Sequence, residues 1–255
     1  MAATHPALET RGLTIRFGGH VAVDSVSCQF ERGTLTAIVG PNGAGKTTYF
    51  NLISGQLRSS AGRVLLFGND ITKDAAPVRA AKGIGRAFQL TNLFPFLTVL
   101  ENVRLAVQAR AKAGLNLTSM WTRQTVLIEK AEHFLSNVGL SDRRTALASS
   151  LSHGDQRKLE VAMLLALEPE VFMFDEPTAG MSVDEVPVIL DLIHEIKEQK
   201  DKTILLVEHK MDVVRSLSDR IIVLHQGVLV AQGEPAEVIA SPIVQEAYLG
   251  ISTHG

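Results

Sequence analysis

The segment Gly40-Pro41-Asn42-Gly43-Ala44-Gly45-Lys46-Thr47 sets three glycines, a lysine and a hydroxyl in the spacing GxxxxGK[ST]. It follows a short apolar run, Leu35 to Val39, so the order predicts a strand, a tight turn and a helix beginning near Lys46. In such a turn the glycines let backbone N–H groups face inward around a phosphate, where a Cβ would block the approach. The helix adds a dipole worth about half a positive charge at its N-terminus. Lys46 is expected to reach the β- and γ-phosphates of a nucleotide, and the Thr47 hydroxyl to ligate Mg²⁺. Thr48 belongs to the same expected contact set. A pattern match can arise by chance, and the strand-before, helix-after setting is what gives this one weight.

A second group of reactive residues closes the apolar run Val171-Phe172-Met173-Phe174 with the adjacent acids Asp175 and Glu176. A strand ending there puts Asp175 over the C-terminal edge of the sheet, where ligands bind in open α/β folds. Asp175 is expected to hold Mg²⁺. Glu176, one residue on, points elsewhere and is the candidate general base for an attacking water. Read alone, two adjacent acids fit an exposed turn equally well; the phosphate loop upstream favours chemistry.

The elements that must position these residues are legible from periodicity. Leu13, Ile15 and Phe17 alternate with polar neighbours, as do Val26, Cys28 and Phe30, which predicts half-buried strands. Val64 to Phe67 and Ile84 to Phe88 read as further strands, the former followed by turn residues Gly68, Asn69 and Asp70. From about Thr98 the character turns helical, with Ile128, Ala131, Leu135 and Val138 spaced for a helix until Gly139 stops it. A helical segment is also read from Arg157 to Leu167. Beyond Pro169 strands return at Val171 to Phe174, Thr203 to Val207 and Ile221 to Leu224, with a helix from Val186 to Lys200 between the first two. That alternation predicts a parallel α/β sheet, interrupted by a helical insertion over roughly residues 90 to 165.

Composition narrows the class. The 255 residues can bury a substantial core, and 45 % apolar with 20 % charged residues reads as globular. The net charge of -2 argues against broad capture of nucleic acid. Cys28 is the only cysteine, so a disulfide within the chain is excluded and burial on a strand is its expected role. The longest apolar runs fall far short of the roughly 20 residues a bilayer demands, and the N-terminus lacks the features of a signal peptide. His5, His20, His133, His194, His225 and His254 show no metal-ligand spacing and are expected at the surface or in the core, and packing is the expected role of Trp121.

Between the two reactive groups stands Leu151-Ser152-His153-Gly154-Asp155-Gln156, which resembles the signature motif, usually LSGGQ, of ATP-binding cassette (ABC) proteins. Gln89, Glu176-Pro177-Thr178 and His209 follow the order of that family's Q-loop, acid and switch motifs. The resemblance covers nearly the whole chain and implies a P-loop NTPase fold of the ABC type. Its parts would be a RecA-like core, an N-terminal antiparallel β subdomain and an α-helical subdomain. Residues 1–89 and 166–255 would form the catalytic core with the β subdomain, and residues 90–165 the inserted helical subdomain carrying the signature. Within the family, SHGDQRKLEVA, the stretch VEHKMDVVRSLSDRIIVLHQGVLVAQGEP and the tail Ala247-Tyr248-Leu249-Gly250 resemble the ATPase subunits of branched-chain amino acid importers. The stretch from Ala111 to Val126 is similar to the longer of their two paralogous subunits.

The resemblance implies ATP and Mg²⁺ as cofactors, with two cassettes head to tail and each ATP between one phosphate loop and the opposing signature. Ser152, Gly154 and Gln156 would meet the partner's nucleotide, Phe17 would stack on adenine, and His209 would contact the γ-phosphate. Gln89 would sense the nucleotide and ligate Mg²⁺ beside Thr47 and Asp175. Transmembrane permease subunits, a second ATPase subunit and, indirectly, a solute-binding protein are the implied partners, with Phe94, Pro95 and Phe96 candidates for touching the permease. The implied location is the cytoplasmic face of a prokaryotic membrane. His153, Asp155 and Ser182 depart from the family pattern. Ser182 closes the segment Ala179-Gly180-Met181-Ser182, where the family's D-loop usually has an aspartate, and could still hydrogen-bond across the dimer without the charge. An acid at position 155 would oppose phosphate unless it faced away. Urea, amide or lipopolysaccharide transport fits the same motifs. A DNA-maintenance ATPase would need a long coiled coil, and no sustained heptad pattern is present; a translation-associated factor would carry two phosphate loops.

Overall fold

The computed structural model describes residues 5–87, 93–111 and 120–249. In chain order its elements are β1 (Leu8–Phe17), β2 (His20–Phe30), β3 (Leu35–Val39), α1 (Lys46–Ser54), β4 (Ala61–Leu66), β5 (Asn69–Asp70), α2 (Ala76–Ala81) and β6 (Ile84–Ala87). Then follow α3 (Val99–Arg110), α4 (Met120–Asn137), α5 (His153–Ala166), β7 (Val171–Asp175), α6 (Val186–Glu198) and β8 (Thr203–Val207). The chain closes with α7 (Met211–Leu217), β9 (Arg220–His225), β10 (Val228–Gly233), α8 (Pro235–Ala240) and α9 (Pro242–Leu249). The chain divides into two bodies, one built from residues 5–84, 170–176 and 197–249, the other from residues 85–169 and 177–196.

The first body holds two sheets. One is antiparallel, in the order β2-β1-β4-β5. In the other, β9, β3, β8 and β7 run parallel and β10 pairs antiparallel with β9. Strands β3, β7 and β8 are buried at every position, as expected of parallel strands covered on both faces. Phe30, Ile38, Phe50, Ile53, Met173 and Leu205 belong to one apolar cluster that joins both sheets and α1. Cys28 lies in it, and burial pushes its thiol pKa up to about 11.

Several boundaries differ from the sequence reading for local reasons. The clean alternation over β1 is broken by register shifts between Thr10 and Leu13 and again before Arg16, so Leu13, Thr14 and Ile15 are all buried in succession. Phe67 leaves the strand because it turns to φ 49° ahead of Gly68. Helix α6 stops at Glu198 rather than Lys200, whose φ of 54° is left-handed. Helix α5 begins at His153, not Arg157, because Ser152 caps it by accepting from the Asp155 N–H. Phe88 lies outside the described residues.

In the second body α3, α4 and α5 pack on one another, burying Val103, Val107, Ala131, Leu135 and Leu159. Helix α3 starts in a full capping box between Thr98 and Glu101. Buried Asn102 then pins the preceding turn: its Oδ1 accepts from the Phe94 N–H, and its Nδ2 donates to the carbonyls of Phe94 and Thr98. That anchor leaves Phe96 85 % exposed on a fixed backbone.

One buried charge ties α1 into the first body. The Arg79 guanidinium donates to the carbonyls of Leu52 and Ile53 at the end of α1, and to those of Thr72 and Asp74. It thereby satisfies helix-terminal carbonyls that have no partner within the helix. Replacing it with leucine would take the guanidinium donors from all four carbonyls, with only Leu52 keeping the Gly55 N–H. Arg79→Leu is expected to lower unfolding stability by about 2–4 kcal/mol, read as a drop in the urea midpoint at unchanged slope.

Candidate nucleotide site

The turn between β3 and α1 is shaped by backbone crowding. Gly40 (φ 150°) faces the Leu224 carbonyl so closely that a Cβ would stand 2.1 Å from its oxygen, and a Cβ on Gly45 (φ 94°) would stand 2.6 Å from the Ala22 oxygen. Gly227, in the turn between β9 and β10, donates its N–H to the Ala44 carbonyl and accepts from the Asp24 N–H. The turn is therefore clasped by the β1–β2 hairpin and the β9–β10 turn. Helix α1 starts at Lys46 with Gly45 as its left-handed cap.

Lys46 is buried, and its Nζ donates to the carbonyls of Gly40 (2.7 Å) and Pro41 (2.9 Å). Burial holds its pKa below the ordinary lysine value, against the opposing pull of Glu176 and Asp175. The ammonium is thus curled back into the loop, where an arriving phosphate can compete for it.

A cavity of about 280 Å³ opens over this turn, lined by Asn42, Gly43, Ala44, Gly45, Lys46, Thr47, Thr48, Glu176 and His209, with His20 and Ala22 on its hairpin side. Motifs separated by some 130 residues of chain meet there. Asp175 is fully buried at the end of β7. Glu176 takes φ 49° directly after it, and its N–H donates to the Val207 carbonyl. The reversal gives the two acids different surroundings, one sealed beside the sheet and one in the open cavity. Glu176 Oε1 lies 2.7 Å from His209 Nε2. His209 is held in turn through its own N–H, which donates to the buried Glu208 carboxylate.

Phe17 stands 50 % exposed opposite His20 in the β1–β2 register. An aromatic left half in water at the end of a hairpin whose other strand lines the cavity is available to stack on a planar ligand. His20, assigned from spacing to surface or core, is a lining residue, and the strand pairing with Phe17 is the signal that would have found it. Gln89 lies outside the described residues.

The signature residues sit in the second body, at the start of α5. The Asp155 charge is met by Lys158 Nζ at 3.2 Å, one turn on, so the acid that departs from the family pattern is neutralised locally. Gln156 donates its Nε2 to the Leu151 carbonyl. Elsewhere in this body a cavity of about 310 Å³ is lined largely by apolar groups, among them Phe94, Leu105, Met163 and Leu167.

The donor chemistry fits a Mg²⁺-nucleotide. The Thr47 hydroxyl at the cavity wall and the buried Asp175 carboxylate are hard oxygen donors of the kind Mg²⁺ takes. Gly45→Ala is expected to lower ATP affinity at least tenfold in a titration, because the Cβ meets backbone. Gly43→Ala should disturb the fold of the turn less, since no heavy atom of the protein lies within 4 Å of its added Cβ and the conformational cost is that of positive φ, about 1–2 kcal/mol.

Comparison with known proteins gives the family. The family description "ABC transporter" matches residues 23–179. The high-affinity branched-chain amino acid transport ATP-binding protein LivG of Escherichia coli is 37 % identical over 252 residues, 97 % of this chain and 99 % of that protein. An ATP-binding cassette of an ABC transporter in its ADP conformation superposes with TM-score 0.80 at 30 % identity, over 97 % of this chain and 100 % of that one. A dimeric cassette in a post-hydrolysis state, bound to ADP and phosphate, gives 0.78 at 25 % identity over 89 % and 98 %. The chain belongs to the ABC transporter family of ATP-binding cassettes.

Proposed function

We propose that this chain binds and hydrolyses ATP to energise an importer of branched-chain or related amino acids, as a subunit at the cytoplasmic face of a prokaryotic membrane. The observation that carries this reading is the convergence of the glycine turn, Lys46, Glu176 and His209 on one cavity in a chain alike over nearly its full length to LivG. Gly40 to Thr48 cradle the phosphates through backbone N–H groups, with Lys46 exchanging its two loop carbonyls for phosphate oxygens. Thr47, Asp175 and Gln89 are the residues that would hold Mg²⁺, which when bound offsets charge developing on the phosphates.

Glu176 accepts the proton of the water that attacks the γ-phosphorus as the bond to ADP breaks. His209 Nε2 orients that carboxylate and can turn to a γ-phosphate oxygen. Phe17 covers the adenine. Ser152, Gly154 and Gln156 serve the nucleotide of a second cassette, either a copy or a paralogue, so that neither half completes a site alone. The dimeric relative holding ADP and phosphate supports this pairing.

Residues 90–165 act as the inserted helical subdomain that carries the signature and contacts the permease, and residues 1–89 and 166–255 as the nucleotide-processing core. Phe94, Pro95 and Phe96 are its contact candidates, supported by the exposed, backbone-anchored Phe96. A solute-binding protein would meet the complex on the far side.

Lys46→Ala is expected to lower ATP affinity at least a hundredfold in a binding titration; unchanged affinity would remove the phosphate-loop assignment. Glu176→Gln should bind ATP normally and lose turnover by roughly 10²–10⁴-fold, the scale of a lost general base. Wild-type phosphate release by that variant would reassign the base.

A further inference from the structure

The loop after β7 and the first turn of α5 are bound to each other through one side chain. Glu185 Oε2 accepts from both the N–H (3.1 Å) and the hydroxyl (2.9 Å) of Ser182. This is the Ser-x-x-Glu arrangement that satisfies donors at a helix start. Its other oxygen faces Lys158 Nζ at 3.4 Å, and Lys158 also meets Asp155. The same carboxylate lies directly over Gly154, where a Cβ would stand 2.2 and 2.4 Å from its two oxygens.

Three of the residues joined here, Gly154, Asp155 and Ser182, belong to the segments read above as facing a partner cassette. Two of them, Asp155 and Ser182, are departures from the family pattern. At Ser182 the chain lacks the usual acid, and the carboxylate that does stand beside the loop is the one from Glu185. Its Ser182 contacts lower the carboxylate's pKa from the ordinary glutamate value, with Lys158 adding to the effect.

We propose that Glu185 is a positioning residue for the shared site, locking the Ser182 loop and the signature turn into one register so that both meet the partner's nucleotide together. The proposal rests on the paired-cassette reading above. Glu185 touches no reacting atom in this role; it acts through Gly154 and Ser182. Lys158 completes the lock by neutralising Asp155, whose charge would otherwise oppose the incoming phosphate. The phosphate cavity is lined from the first body, so ATP binding to a single chain provides an internal control.

The test uses the full chain carrying Glu176→Gln, with ATP and Mg²⁺, and reads association by sedimentation alongside ATP affinity of the single chain. Adding Glu185→Ala should weaken dimer formation at least tenfold. Glu185→Gln, which keeps an acceptor for Ser182 but removes the charge facing Lys158, should weaken it about threefold. ATP affinity of the single chain should stay within twofold in both. Dimerisation of the Glu185→Ala protein as tight as the parent's overturns the proposal. So does a loss of ATP affinity that matches the loss of association, which marks a general structural role. Should Glu185→Ala fail to fold, Glu185→Gln and Lys158→Gln decide, and association within twofold of the parent in both overturns it. A parent that remains monomeric with ATP overturns the paired-cassette reading and this proposal with it, an outcome distinct from a dimerising parent with unaffected variants.

Discussion

The phosphate turn keeps its shape because its neighbours come too close for any side chain. The carbonyls of Leu224 and Ala22 occupy the space that Cβ atoms on Gly40 and Gly45 would need, and Gly227 bonds to Ala44 from the next turn. Backbone pressed against backbone fixes the direction of N–H groups far better than a loose loop could. Much of the first body serves this one constraint: β3 delivers the turn, the β1–β2 hairpin and the β9–β10 turn clasp it, and Arg79 fastens the far end of α1.

A second feature is that two adjacent acids are held in different surroundings. Asp175 ends its strand sealed from solvent, whereas Glu176 at once reverses to φ 49° and enters the cavity. A left-handed conformation at a non-glycine residue costs energy that the surrounding hydrogen bonds must offset; here Val207 accepts the Glu176 N–H and His209 meets its carboxylate. The histidine is itself aimed by Glu208. Geometry, rather than residue type, gives the two acids their different surroundings.

In the second body the same economy appears around the signature. A helix start normally presents free N–H groups, and Ser152 caps one while Lys158 offsets the acid beside them. The absence of a Cβ at Gly154 leaves room for the Glu185 carboxylate. Residues that looked discordant in isolation, Asp155 and Ser182, each have a partner only a turn or a loop away.

By itself the sequence determined the strand–turn–helix that forms the phosphate loop, the acids at the end of β7 and the helical character between them. Those features follow from spacing and periodicity, which are local: Gly45-Lys46-Thr47 can be read without knowing what surrounds it. The buried parallel strands were legible for the same reason, as unbroken apolar runs. Their ends were not, because Phe67 and Lys200 stop where the backbone turns left-handed, a choice set by packing. Only the tertiary structure brought His209 to Glu176 and His20 to the cavity, and only it placed Glu185 against Gly154. Contacts between residues tens of positions apart depend on register and backbone approach in three dimensions, and no spacing along the chain records them.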